Sequence, residues 1–379
     1  MVFLLSLLLI IVSEWIFLHG LMEHGLYVLA GFQGLIFIGS VVLLMSNFRR
    51  RTQNSDYRLV FTYMGLFIAT GIPALAYFIP GISYLLIGLP YLQYIGWIFS
   101  AGIFLGILYG IQFGRWNWKV HHVELQFPHL PKSVDGMKFV QISDVHVGSF
   151  LHRYDKVQKA IDLINQQEAD YVFFTGDLVN NKADEMEGWE PLFSSIQAKK
   201  GKFSILGNHD YGDYVQWTEQ EEKAANLNKL IQTHRAIGFQ PLLNDAVALA
   251  ENCWILGVEN WGKAPFRQSG KLSETLAKVP NDAFKLLLSH DPSHFDAQVL
   301  DTNIDLTLSG HTHGMQFGIE RFGIKFSPVS FKYRKWAGLY QVGKQYLYVN
   351  RGFGFLGFPG RVGIYPEITL FTLHCEKEK

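Results

Sequence analysis

The sequence predicts two parts of different class: an N-terminal all-α transmembrane region of about four helices over residues 1–118, and an α/β domain over residues 119–379. Three observations predict it. Residues 1–114 carry only seven charged side chains, Glu14, Glu23, Arg49, Arg50, Arg51, Asp56 and Arg58, whereas the remaining 265 residues hold 30 Asp+Glu and 29 Lys+Arg. Four apolar stretches, roughly 2–18, 26–46, 59–79 and 91–113, reach the length of about 20 residues that a bilayer span needs. Beyond residue 119, short apolar runs alternate with helix-like amphipathic segments.

The first stretch is read as a span and not as a cleavable signal peptide. It lacks a basic leading region and a small-residue cleavage site, and further spans follow directly. Arg49, Arg50, Arg51 and Arg58 lie between spans two and three, and Arg115 and Lys119 follow span four. The links near 19–25 and 80–90 carry no Lys or Arg. The positive-inside rule then places both chain ends in the cytoplasm of a multi-pass inner-membrane protein, with the α/β domain on the same side. Glu14 inside span one is either a functional carboxylate or one bonded to a neighbouring helix, the second reading being preferred; Glu23 and His24 lie at the interface. The cluster Trp116, Trp118, His121 and His122 reads as an interfacial belt. Cys253 and Cys375 give neither a metal spacing nor a disulfide framework, which fits a reducing compartment.

In the second part, residues 137–143 read as a buried strand, 153–167 as an amphipathic helix and 171–175 as the next strand. A helix near 189–197, a strand at 202–206 and a longer helix over 218–236 follow. Strands near 245–249 and 253–258, a helix near 272–279, and strands at 284–289 and 305–309 come next. The segments 337–341, 345–350 and 366–374 read as a closing antiparallel set.

Five short blocks of metal-ligand chemistry punctuate this order. They are Asp144-Val-His146, Gly176-Asp177, Gly207-Asn208-His209-Asp210, His290, and Gly310-His311-Thr-His313. Each stands where an apolar run ends, at the C-terminal end of an expected strand, where open α/β sheets gather their ligand sites. Three Asp/Asn oxygen donors and four imidazoles suffice for two adjacent metal sites. Two divalent ions a few ångströms apart clamp the attacking and leaving oxygens of a displacement at phosphorus, and a water between them becomes a nucleophile near neutral pH. Mixed imidazole and carboxylate donors admit Mn, Fe or Zn, whereas an all-oxygen set would lean to Mg or Ca. A single such histidine is commonly a core or surface imidazole; five blocks in series are not. His19, His129, His152, His234, His294 and His374 are read as ordinary histidines.

The ordered blocks resemble the signature D-x-H, G-D, G-N-H-D/E, H, G-H-x-H of the calcineurin-like metallophosphoesterase superfamily, over roughly residues 137–374. The tail from Gly338 through Arg361 to Pro366-Glu-Ile-Thr-Leu looks like its YkuE/YaeI-like branch, whose members often follow membrane segments. The resemblance implies a four-layer αββα sandwich with two divalent metal ions per chain, Mn first and Fe or Zn next. It implies that Asp144, His146 and His313 hold one ion, that Asn208, His290 and His311 hold the other, and that Asp177 bridges them. His209 would be the catalytic residue, as general acid or oxyanion stabiliser. Two positions depart from the family pattern. Asn180 stands where an Asp often orients the catalytic histidine, and its amide oxygen would hold the His209 ring. Met315 replaces a glycine beside the metal loop and would narrow the pocket or make it more apolar.

Aromatic residues crowd the later loops: Phe317, Phe322, Phe326, Phe331, Trp336, Phe353, Phe355 and Phe358, with Arg351 and Arg361 among them. One reading is a site facing the bilayer that takes a phosphorylated, lipid-linked substrate, for instance a nucleoside-diphosphate glycolipid like those cut by lipid-acting members of the superfamily. The other is an ordinary hydrophobic lid and core. Arg351, Arg361 and Asn180 are the substrate-binding candidates, with the arginines meeting a phosphate oxygen; Arg361 pairing with Glu367 is the alternative. The expected activity is hydrolysis of a phosphomonoester, phosphodiester or pyrophosphate. A non-hydrolytic membrane scaffold and a transporter with a regulatory domain are the competing classes. No basic face points to nucleic acid.

Overall fold

The computed structural model describes residues 2–49 and 57–376; Arg50, Arg51 and Asp56 of the basic link, and the C-terminal Lys379, lie outside them. Packing divides the chain into two compact units. One takes the helical segment to Arg115 together with Gly357–Val362, and the other takes Trp116–Leu356 and the segment from Gly363 onward.

The helical unit holds α1 (Val2–Glu23), α2 (Tyr27–Arg49), α3 (Tyr57–Ile87) and α4 (Pro90–Gln112). All four are long and apolar enough to cross a membrane. The sequence places a link at 80–90, but α3 runs through it for 31 residues, with Pro73 and Pro80 inside. That is about 46 Å of helix against about 30 Å of hydrocarbon. Proline in a packed apolar helix is tolerated where neighbours satisfy the freed backbone groups; α4 packs close to this stretch, with the Ser100 hydroxyl donating to the Pro73 carbonyl at 2.7 Å. The turn shrinks to Gly88 and Leu89. Buried Glu14 accepts a hydrogen bond from Gln33 on α2 at 3.1 Å, the neighbour-helix arrangement preferred above.

The second unit is a two-sheet sandwich. It opens with β1 (Lys119–Phe127), β2 (Lys138–Ile142), α5 (Tyr154–Asn165), β3 (Tyr171–Phe174), α6 (Glu190–Ser194), β4 (Gly201–Ser204), α7 (Gln220–Ala236) and β5 (Gln240–Pro241). Then come β6 (Asp245–Ala250), β7 (Cys253–Gly257), α8 (Leu272–Leu276), β8 (Phe284–Leu288), α9 (Ser293–Ala297) and β9 (Leu306–Ser309). It closes with β10 (Ile319–Arg321), β11 (Ile324–Phe326), β12 (Gly338–Val342), β13 (Gln345–Val349) and β14 (Glu367–Cys375). One sheet has the order β1-β14-β2-β3-β4-β5 and the other β12-β13-β9-β8-β7-β6.

Phe139, Phe173, Phe203 and Phe371 of the first sheet meet Ile255, Leu286 and Leu308 of the second in one buried core. On the outer face of the second sheet, Leu256, Leu287 and Leu347 pack with Leu272 of α8 and Phe295 of α9. Strands β3, β8 and β9 are buried along their whole length and β2 at every residue but Lys138, so all four are covered on both faces. This explains why they read as continuous apolar runs rather than alternating ones.

Two expectations need correction. The closing strands are not one antiparallel set: β12 and β13 join the second sheet, with β13 parallel to β9. Strand β14 joins the first sheet, parallel to β1 over nine residue pairs and antiparallel to β2. In the Trp116, Trp118, His121 and His122 cluster, His121 and His122 already belong to β1, and Trp118 does not sit at a surface. The Trp118 ring is buried, and its N–H donates to the Phe353 carbonyl at 2.9 Å. A Trp/His cluster beside a span has the same composition whether it faces lipid or a protein core; only the β14 partner, more than 240 residues on, decides.

Candidate metal centre

Parallel neighbours β2, β3 and β4 end in Asp144, Asp177 and Asn208, and parallel neighbours β8 and β9 end in His290 and His311. The two sheets are cross-linked just below by buried Gln141, whose amide donates to the Ser309 carbonyl at 2.9 Å and to Thr175 Oγ1 at 3.1 Å. All five sequence blocks thus converge on one edge of the sandwich.

The backbone there is unusual. Asp144, His146, Asp177, His311 and His313 lie at φ between 47° and 70°, the left-handed region. Such residues cost on the order of 1–3 kcal/mol each and persist where surrounding contacts over-determine them, most often at functional sites. Here the Asp144 and Val145 N–H groups are fixed on the Gly176 and Asp177 carbonyls at 2.9 and 2.8 Å. Asp210 supplies more of the frame: its buried carboxylate accepts from the N–H groups of Gly207, Asp177 and Leu178 at 2.8–2.9 Å. Two motif glycines follow from close approach. A Cβ at Gly207 would strike Asp177 Oδ1, and one at Gly310 would strike Asp144 Oδ2.

Asp144, His146 and His313 form one group whose ligand atoms lie within 4.8 Å of one another, and Asp177, His290 and His311 form a second. Asp177 Oδ2 stands 3.1 Å from His290 Nε2 and 3.6 Å from His146 Nε2, so one oxygen faces both groups. Asp177 Oδ1 is turned away to accept the His209 N–H at 2.8 Å. Asn208 Oδ1 lies 2.7 Å from His311 Nδ1 and 3.2 Å from His290 Nε2, completing the second group.

These donors fit a metal. His146 Nδ1 lies 3.2 Å from the Val179 carbonyl and His290 Nδ1 lies 2.7 Å from that of Thr175. A carbonyl only accepts, so each ring carries its proton on Nδ1 and aims Nε2 inward, the arrangement in which a second hydrogen bond fixes a ligating imidazole. Burial holds His146 well below the usual imidazole range and brings His311 down to about 4, so both are neutral, as ligands must be. Burial also works against charge on Asp177, but facing His290, His209 and His146 outweigh it and hold its carboxyl low. Burial alone would keep His290 neutral, yet Asp177 opposite pushes it up to about 10. Positive charge is wanted between these two residues, and a divalent cation supplies more of it than a proton.

His209 is placed by a different partner from the one expected. Its Nδ1 donates to the backbone carbonyl of Asn180 at 2.7 Å. The Asn180 side chain points elsewhere, with its amide donating to Ser149 Oγ at 3.2 Å. The Asn-for-Asp departure therefore leaves the ring's anchor intact, because that anchor is main chain.

Several contributors were missed by sequence reasoning. The Tyr214 hydroxyl accepts from the Asn208 amide at 2.8 Å, which turns the Asn208 oxygen towards the histidines, and its ring lies 4.4 Å from that of His209. The Tyr333 hydroxyl is 2.9 Å from His311 Nε2, with Asp291 3.5 Å from the same nitrogen. Among many tyrosines, no local pattern marks these two. Asp291 could have been suspected, since it directly follows the candidate ligand His290.

Arg351 is buried between two carboxylates: Nη1 donates to Glu367 at 2.5 Å, and Nε donates to Glu320 at 2.7 Å. Burial opposes charge on Glu367, but Arg351 outweighs it and holds that carboxyl down to about 2. The alternative partner offered for Glu367 was Arg361; its carboxylate is engaged by Arg351, Tyr348 and Thr369. Arg361 is fully buried in the segment grouped with the helices, where its N–H donates to the Gly110 carbonyl at 3.1 Å. The aromatic crowd separates as well. Trp336, Phe353 and Phe355 are core residues, whereas Phe322, Phe326 and Phe331 are exposed, as is Met315.

Fold and donors together define a class, an α/β sandwich with two adjacent groups of residues able to bind metal. The chain belongs to the calcineurin-like phosphoesterase family, whose profile matches residues 137–315. It is 32% identical to the uncharacterized metallophosphoesterase YkuE of Bacillus subtilis, over 64% of this chain and 81% of that protein. It is 27% identical to a transmembrane protein with metallophosphoesterase domain from Danio rerio, over 70% of this chain and 60% of that one. It is also 27% identical to phosphodiesterase YaeI of Escherichia coli, over 62% of this chain and 82% of that protein.

Proposed function

We propose that this chain is a membrane-anchored phosphoesterase working with two divalent metal ions, Mn first and Fe or Zn next. Residues 1–118 serve as the anchor and 119–379 as the catalytic domain. Asp144, His146 and His313 would hold one ion, Asn208, His290 and His311 the other, with Asp177 shared. The observation that carries this reading is the single oxygen of Asp177 facing both groups, at 3.1 and 3.6 Å. When bound, such a metal pair polarises the phosphoryl group and activates a water for attack.

The chain's own residues do the rest. His209, with Nδ1 fixed on Asn180, keeps Nε2 for a proton to be given to the leaving oxygen. Tyr214 and Tyr333 hold the Asn208 amide and the His311 ring at their angles. Arg351, Arg361 and Asn180 stay as proposed substrate contacts. For Arg351, a phosphate would have to take donors from Glu320, because Nη1 is committed to buried Glu367.

A phosphorylated substrate presented at the bilayer, with a lipid-linked ester or pyrophosphate as the finer reading, is supported by the four apolar helices. The relative named as a transmembrane metallophosphoesterase protein points the same way, and the name phosphodiesterase YaeI supports cleavage of a diester. Nucleic acid is not proposed as a substrate. The test is a screen of the purified full-length protein, loaded with Mn, Fe, Zn or Mg, against nucleotide, sugar-phosphate and phospholipid panels. Metal-dependent turnover highest on a lipid-linked phosphate is the expected result. Turnover of soluble esters alone removes the lipid reading, and no turnover with any metal removes the hydrolase.

Orientation is proposed with both ends and the catalytic domain in the cytoplasm of an inner-membrane protein. Reporter fusions at the C-terminus should behave as cytoplasmic. An insertion at the Gly88–Leu89 turn, which is a better site than Gly81 inside α3, should behave as external. A C-terminus open to protease in intact cells would overturn this orientation.

A further inference from the structure

The hairpin β10–β11 forms a two-stranded sheet bonded to neither sandwich sheet, and it carries an apolar surface that the core does not use. Phe322 at its tip is 95% exposed and Phe331, just beyond it, 86% exposed. Ile319, Ile324 and Phe326 add to the patch, each about half exposed. Soluble proteins rarely leave such a patch without a partner. Residues 315–335 also hold five Lys/Arg (Arg321, Lys325, Lys332, Arg334 and Lys335) against one acid, Glu320, in a chain whose total charge is zero; of the five, Lys335 pairs with Asp296 at 2.5 Å. That single acid is engaged by Arg351. The surface is therefore aromatic and cationic together.

We propose that this hairpin and the turn through Arg334 dock on an anionic phospholipid surface, with Phe322 and Phe331 entering the headgroup layer and Arg321, Lys332 and Arg334 meeting lipid phosphates. Mixed aromatic and basic composition is what interfacial elements use, since rings tolerate the boundary between water and hydrocarbon while Lys and Arg pair with anionic headgroups. A second copy of the chain fits worse: a two-fold contact would press two identical cationic patches together. The hairpin also connects to the metal centre. Ser327 Oγ donates to the Gly314 carbonyl at 2.7 Å, Thr312 Oγ1 donates to the Trp336 carbonyl at 2.6 Å, and Tyr333 meets His311. Docking would hold the metal loop at the lipid surface. The inference rests on the membrane reading above and not on the hydrolytic one.

The test uses the full-length chain in nanodiscs of phosphatidylcholine, with or without phosphatidylglycerol. Cys375→Ser leaves only buried Cys253, so an environment-sensitive fluorophore can be placed at Phe322→Cys or, independently, at Phe331→Cys. A third label at Val42→Cys, exposed on α2, reports whether the helices are in lipid. The expected result is blue-shifted emission at both hairpin sites, quenched by a headgroup-level nitroxide lipid, stronger with phosphatidylglycerol, and weakened by Lys332→Glu with Arg334→Glu. Water-like emission at 322 and 331 while 42 is quenched overturns the docking and spares the membrane reading. A blue shift that nitroxide lipid does not quench assigns the patch to a protein, an acidic partner or a second copy, and also overturns it. An unquenched label at 42 brings down the membrane reading and this proposal with it.

Discussion

Asp177→Asn should strip both metal ions from the protein and take metal-dependent turnover to background. One carboxylate oxygen of Asp177 faces His290 and His146 across the two donor groups, so this one substitution acts on both. The variant keeps an oxygen able to accept the His209 N–H, now 2.8 Å away, so the local fold should survive. What it loses is the negative charge, and in its place an NH2 can face the imidazole lone pairs. Burial makes that loss expensive, because the inward-facing nitrogens then have no cation and no anion to organise them. Elemental analysis of purified wild type should give close to two transition-metal ions per chain, and the variant close to none, with an unchanged circular dichroism spectrum. A variant that retains one ion at full stoichiometry would refute the shared site.

His209→Asn should leave metal content intact and lower kcat by roughly 10²–10⁴, the range usual for acid–base assistance. The loss should shrink for substrates with a good leaving group such as nitrophenol, which departs without protonation. An equal loss for good and poor leaving groups would rule out the acid role. The structure adds a control that the sequence argument would have inverted. If the Asn180 amide held the ring, Asn180→Ala would cost nearly as much as losing His209. Because the anchor is the Asn180 carbonyl, at 2.7 Å, Asn180→Ala should change kcat by only a few-fold.

The same contrast runs through the molecule. The four long helices were legible because an apolar run of spanning length is a one-dimensional signal, whereas their ends were less so: α1 continues to Glu23 and α3 to Ile87, through the stretches expected to be links. Strands β2, β3, β8 and β9 were legible as buried runs bounded by their ligand blocks. Strand β1 was not, because its stretch mixes Lys, His, Glu and Gln with apolar residues and half of it is exposed. The short hairpin β10–β11 was passed over for a similar reason: three-residue strands give too few positions for a period to show.

By itself the sequence supplied the candidate metal-binding residues and their order. Asp144, His146, Asp177, Asn208, His290, His311 and His313 each sit in a short block whose chemistry survives being read locally. It also determined that a charge-poor helical region precedes a balanced α/β domain. The tertiary structure alone decided that β14 lies parallel to β1 across the whole domain, that Arg351 meets Glu320 and Glu367, and that a main-chain carbonyl aims His209. It also sorted one run of aromatic residues into buried Phe353 and exposed Phe322. The physical reason is range. Ligand type and apolar periodicity are properties of neighbouring residues, whereas pairing, carbonyl direction and burial depend on groups brought together from tens to hundreds of residues away.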